Sequence, residues 1–364
     1  MKKVLLLVIV LACYSMVKAQ SPTAGKVSSL DAAKVSLKGR NTITIITNAT
    51  SDTVKLTGNI YYYLPIAEQS LKVSLPPGKS DTLRTLFYYP DFIEFGSFPL
   101  EIYNSPGKAV RCTIESMTPF KASFQGELAI ENTYYQAFAK AARNNSVYYT
   151  LGTSLKDFNS FPRLADSVNQ INLNFLYTYP GSLPAAFKVR EYWRLMYNNA
   201  FLKYHVLFDR EFKTAQSIPV DVSYYSFEKD VPLLNKEMVL STPYLWYALF
   251  NLRRKVLLKD KNEANLTGGM LDFADKIYAG DEMGDVIKMR LLYDTYPQSK
   301  QKFQALDSST PFLNPANKLI LDSVVNATNL LPRTGRKVPD LKLINLEQDT
   351  VSLNDFTGRP VIVN

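Results

Sequence analysis

The hydrophobic period of this chain changes near Glu127, and that change limits what it can fold into. Upstream, apolar and polar residues alternate at period two. The runs are Val35–Leu37, Thr42–Ile46, Thr53–Leu56, Asn59–Tyr63, Ser70–Leu75, Thr82–Phe87, Pro99–Tyr103 and Ala109–Ile114. Turn residues punctuate them at Asn48–Ser51, Pro77-Gly78 and Pro106-Gly107. Short alternating runs parted by turns about every ten residues predict a β-sandwich of immunoglobulin-like size. We place this all-β domain at residues 34–118. Lys55, Lys72 and Arg84 are suited to keep exposed strand edges from pairing with other chains.

Downstream the period becomes helical. Ala129, Tyr134, Ala137, Phe138, Ala141 and Ala142 recur at helical spacing, and Ser167–Leu173 leads to a stop at Pro180-Gly181. The longest segment, Phe187–Phe212, carries Phe187, Trp193, Met196, Tyr197, Ala200, Phe201, Tyr204 and Phe208 as an apolar and aromatic stripe. A helix from Thr242 to Leu258 opens with Pro243 in its first turn, where proline is tolerated. Ala264–Gly269 reads as a loop, Asp285–Tyr296 as a helix ended by Pro297, and Asn314 as the N-cap of a helix running to about Val325. Residues 127–328 are thus expected to form one all-helical domain, followed by a linker at 329–337 that contains Pro332 and Gly335.

At the amino end, Lys2 and Lys3 precede the short apolar run Val4–Ala12, and Val17-Lys18-Ala19 has the small-x-small form of a cleavage site. Met1–Ala19 therefore reads as a secretory signal peptide, with a loose leader at 20–33 and a destination in the periplasm or cell envelope. A rival reading takes Val10–Cys13 as a lipoprotein box with Cys13 lipidated. No later stretch is long and apolar enough to span a bilayer. The 42 basic residues exceed the 33 acidic ones by nine, or by six once the first nineteen residues are removed. The basic residues are spread rather than striped, which speaks against nucleic-acid binding. Cleavage before Gln20 leaves Cys112 as the single thiol, too few for an internal disulfide. It sits in a strand pattern and reads as a buried structural cysteine. A reactive thiolate would need more than its neighbour Arg111.

The last segment, Lys337–Asn364, returns to strand grammar. A run through Leu341, Leu343 and Ile344 is followed by a polar turn, then by Val351 and Leu353 alternating with polar residues. Asp355–Gly358 forms a second turn, and Pro360–Asn364 opens a β-branched run suited to a strand buried on both faces. Pro339, Asp340, Leu343, Val351, Leu353, Asp355, Phe356, Gly358, Val361 and Asn364 occupy the positions by which this stretch resembles the start of the thioredoxin-like domain in TlpA-like thiol-disulfide oxidoreductases. Val338, Leu341, Asn345 and Asp349 depart from that pattern. The resemblance implies a truncated thioredoxin-like α/β domain at 338–364, and a parent protein that exchanges disulfides with protein thiols through a C-x-x-C beyond Asn364. A peroxiredoxin-like redoxin shares the same start. A different class, an envelope binding protein recognising a sugar or peptide, is the alternative. No cofactor is implied.

The residues in hand offer no catalytic, cofactor or metal constellation. His205 is the only histidine, and it reads as a partly buried, hydrogen-bonded residue, since a metal site would want further His or Cys ligands. Asp281, Glu282 and Asp285 form the tightest acidic cluster. They read as the solvated first turn of a helix, where acids complement the dipole. Arg253-Arg254-Lys255 reads as a solvated face. Tyr61–Tyr63 reads as a strand with one face in the core, or as an aromatic binding platform. There is no G-x-S-x-G, no phosphate-binding loop and no G-x-G-x-x-G.

Overall fold

A computed structural model describes residues 39–60, 69–96, 100–141, 146–214, 216–259, 265–330, 342–344 and 350–352. The readings at Met1–Ala19, Tyr61–Tyr63 and Pro360–Asn364 lie outside them. Among the described residues eight strands come first: β1 (Arg40–Asn48), β2 (Val54–Ile60), β3 (Gln69–Leu75), β4 (Ser80–Phe87), β5 (Asp91–Phe95), β6 (Leu100–Asn104), β7 (Ala109–Met117) and β8 (Phe120–Gly126). They form two four-stranded sheets, in the orders β4-β1-β7-β8 and β3-β2-β5-β6. All described pairings in these sheets are antiparallel except β1 with β7, which runs parallel with Ile43 opposite Ala109. The inward residues of both sheets share one apolar core, including Ile46, Leu56, Phe87, Ile93, Phe95 and Ile114.

Two strands differ from the sequence reading. The sequence reading assigns no strand between Phe87 and Pro99, yet β5 starts directly after Pro90 and sends Ile93 and Phe95 inward. β8 lies beyond the boundary read at residue 118, so the sheet region runs to Gly126. In β1 the inward face carries Thr42, Thr44 and Asn48 beside Ile46, while Ile43 and Ile45 are only half-buried. Burying hydroxyls requires partners. Thr42 and Thr85 share a hydrogen bond of 2.7 Å, and Thr44 donates to Asn104 Oδ1 across the sheets at 3.0 Å. Asn48 organises its turn, with Nδ2 donating to the carbonyls of Asp52 and Leu75 while Oδ1 accepts from Thr50 N. Gly58 is required by close packing: a Cβ there would stand 2.6 Å from the Phe95 ring.

Nine α-helices follow among the described residues: α1 (Ala129–Ala141), α2 (Ser146–Ser154), α3 (Phe161–Thr178), α4 (Ala185–Thr214), α5 (Thr242–Lys259), α6 (Leu266–Ile277), α7 (Met283–Thr295), α8 (Lys300–Ser309) and α9 (Pro315–Leu330). A 3-10 helix at Val222–Lys229 separates α4 from α5. α4 is the axis of this region. It is buried on several sides, through Leu195, Tyr197, Phe201, Leu202, Tyr204, Val206 and Leu207, as expected of a helix surrounded by others. Asn314 caps α9 as read, its Oδ1 accepting from Ala316 N at 3.0 Å. The loop read at Ala264–Gly269 is corrected, because α6 begins at Leu266 and contains both glycines. A Cβ on Gly269 would lie 2.9 Å from Val256 of α5, so the glycine permits close helix packing at some cost in helix propensity.

The β and helical regions share a core. Leu128, Tyr134, Leu173, Leu176, Leu183, Phe187 and Leu195 belong to the same buried cluster as the sheet residues. Two short strands complete the described chain: β9 (Lys342–Ile344) and β10 (Thr350–Ser352), antiparallel with Leu343 opposite Val351.

Candidate functional site

Among the described residues β6 is an edge strand, and an edge strand leaves backbone groups to satisfy. Asn132 of α1 satisfies two of them. Its Oδ1 accepts from Tyr103 N at 2.8 Å and its Nδ2 donates to Tyr103 O at 2.9 Å, as a neighbouring strand would. This contact sets α1 against the sheet and leaves a cleft between sheet and helices.

Tyr89, Asp91 and Tyr103 line the cleft from the sheet side, Tyr135 from α1, and Phe187, Arg190, Glu191 and Arg194 from α4. The four α4 residues fall at i, i+3, i+4 and i+7, which puts them on one face. Glu191 is saturated with donors. Arg194 grips it with Nε to Oε2 at 2.6 Å and Nη2 to Oε1 at 2.7 Å, while Tyr135 and Tyr134 donate at 2.7 and 3.3 Å. Burial works against the Arg194 charge, but Glu191 outweighs it and holds the guanidinium more firmly protonated than a free arginine. Arg190 donates from Nη1 to the Tyr103 hydroxyl at 3.3 Å and lies over the Tyr89 ring, with its Nε buried and without a partner among the described residues. Asp91 accepts from Phe92 N at 2.9 Å. Burial, reinforced by Glu94 and Glu101, pushes its carboxyl up to about 7, against the pull of the Phe92 N–H and Arg194.

The cavity within measures about 30 Å³, the share of about one water molecule. The arrangement suits a polar clamp between the sheet and the helices, with one titrating carboxyl at its lip.

The residues singled out from the sequence are not brought together here. Cys112 is fully buried in β7, and burial pushes its thiol up to about 12, as expected of a structural cysteine. His205 is half-buried but its Nδ1 has no hydrogen-bond partner among the described residues, which corrects the hydrogen-bonded reading. It is packed by rings instead, stacked on Phe201 at 5.1 Å with Tyr149 and Phe250 edge-on. Burial lowers its pKa.

The acidic cluster is not a solvated helix turn. Asp285 is fully buried and accepts from Leu313 N at 2.9 Å, Asn314 N at 2.8 Å and Asn317 Nδ2 at 3.2 Å, with Lys288 Nζ 3.3 Å away. It ties the approach to α9 onto α7. Asp281 pairs with Lys236, and Glu282 accepts from Asn314. Arg253 and Arg254 are not solvated either. Arg254 lies 3.7 Å over the Tyr225 ring and pairs with Glu228, and Arg253 covers Phe208. Among the described residues no group of three or more His, Cys, Asp or Glu could hold a metal ion, and no helix is long and apolar enough to cross a membrane.

Sequence reasoning missed the clamp. Its signal was present: Arg190, Glu191 and Arg194 interrupt the apolar stripe of the longest helix on the side that should face the core. No protein-family model matches the chain, and none of the curated proteins matches it significantly.

Proposed function

We propose that this chain is the amino-terminal part of an exported, TlpA-like thiol-disulfide oxidoreductase, acting in the periplasm or cell envelope on the thiols and disulfides of partner proteins. The observation that carries the reading is the pairing of β9 with β10. Leu343 lies opposite Val351, two of the positions on which the resemblance rests, in the antiparallel hairpin that the resemblance requires. In this reading residues 338–364 begin the thioredoxin-like domain, and strands β1 to β8 form an immunoglobulin-like sandwich. Support for the sandwich comes from two four-stranded sheets around one core.

The chemistry would belong to a C-x-x-C past Asn364, where a low-pKa thiolate attacks a partner disulfide and forms a mixed disulfide. Cys112 is excluded from that role by its burial and raised pKa. The β and helical regions then form a body to which the redox domain is attached. Insulin-reduction turnover tests the reading. It is expected from the chain extended through its following codons, and not from residues 20–364 alone. Turnover by residues 20–364 that is abolished by Cys112→Ala would overturn it.

A further inference from the structure

A second cavity, separate from the clamp, opens where α3, α4 and the 3-10 helix at 222–229 meet. It measures about 150 Å³, the share of about five water molecules. Its floor holds Asn199 and Lys203, one turn apart on α4 and only 3% and 1% exposed. Asp166, Ser226 and Asp230 line it as exposed residues. Asn199 Nδ2 and Lys203 Nζ both donate to Asp166 Oδ1, at 2.7 and 2.5 Å, and Nζ lies 4.7 Å over the Phe227 ring. Asn199 Oδ1 is buried and accepts from no protein donor among the described residues.

A buried acceptor without a donor is unusual and invites one. The charges around it select what kind. The Lys203–Asp166 pair is already complete. A ligand cation would meet the Lys203 ammonium, and a ligand anion would meet the carboxylates of Asp166 and Asp230. A neutral hydroxyl meets neither objection. It can donate to Asn199 Oδ1 or Asp230 while accepting from Lys203, and a ring bearing several hydroxyls offers its C–H face to Phe227 and Val231.

We propose that this cleft binds a neutral polyhydroxylated ligand the size of a single sugar ring, through Asn199, Lys203 and Asp230. The inference is independent of the thiol chemistry proposed above. Saturation-transfer NMR on residues 20–364 tests it, with D-glucose, D-galactose, D-mannose and N-acetyl-D-glucosamine as probes, and acetate and methylammonium as charged controls. Transfer to at least one sugar is expected. It should disappear in Ser226→Trp, which fills the cleft from an exposed position and leaves the core intact. Affinity should fall about tenfold in Asn199→Leu, the scale of one lost hydrogen bond. If Asn199→Leu does not fold, Ser226→Trp decides alone. Transfer to none of the four sugars, transfer only to a charged probe, or transfer undiminished in Ser226→Trp would overturn the proposal.

Discussion

Replacing Asp91 by asparagine should stabilise the protein at neutral and alkaline pH and leave it unchanged in acid. The fold raises this carboxyl from its ordinary 3.8 to about 7, mainly by burial. Near pH 3 and below, folded and unfolded chains both carry the proton, and the residue costs nothing. As pH rises from 3 to 7 the unfolded chain releases its proton while the folded chain retains it, so unfolding becomes easier. Above pH 7 the loss is complete and constant. A shift of about three units corresponds to about 4 kcal/mol for a wholly buried group. Asp91 is partly open to solvent, which reduces the expectation to about 1–2 kcal/mol. The replacement amide keeps the shape and an oxygen for Phe92 N–H but has no proton to lose. Urea denaturation of both proteins at pH 3 and pH 8 isolates the effect, because other titrating groups cancel in the difference. Asp91→Asn should match the wild type at the lower pH and exceed it at the higher by that amount, a few degrees in Tm. A variant less stable than wild type at pH 8, or an advantage that grows toward acid, would refute the assignment.

Three further outcomes follow from the same geometry. Asn132→Ala removes both bonds to the Tyr103 backbone and should cost about 2–4 kcal/mol in urea denaturation, since two buried backbone groups lose their partners; a cost near zero would mean that water replaces the amide. Glu191→Gln leaves Arg194 without its counter-charge and should cost about 3 kcal/mol by the same assay, whereas a loss under about 1 kcal/mol would mark the pair as solvated. Cys112, held at about 12, should resist Ellman's reagent at pH 8 in the folded protein and react readily in guanidinium, with about a thousandfold less thiolate in the fold than in the free side chain; fast reaction of the native protein would contradict its burial.

The order of strands then helices was legible because period two and period 3.6 are local signals, and each is visible within ten residues of chain. What stayed hidden depends on contacts between distant segments. Thr42 and Thr44 look like the solvent face of β1, with Ile43 and Ile45 as the core face. The reverse holds because Thr85 and Asn104, from other strands, supply the hydrogen bonds that make threonine burial tolerable. Gly269 looks like part of a loop until Val256 of α5 is seen to need the space. Asp285 obeys the rule for acids in a first turn, yet its carboxylate serves backbone N–H groups 28 and 29 residues away. The clamp and the cleft had the same difficulty. Arg190, Glu191, Asn199 and Lys203 are ordinary residues on a helix read as an aromatic stripe. They become sites only through Tyr103, Tyr135, Asp166 and Phe227, which the fold brings to them.

The reading of this chain as the front of a thiol-disulfide oxidoreductase is tested most directly by sequencing the coding DNA immediately past the codon for Asn364. A short aromatic-rich stretch leading into a C-x-x-C is the predicted result. A stop codon at that point, or an open frame that continues without the paired cysteines, would contradict it.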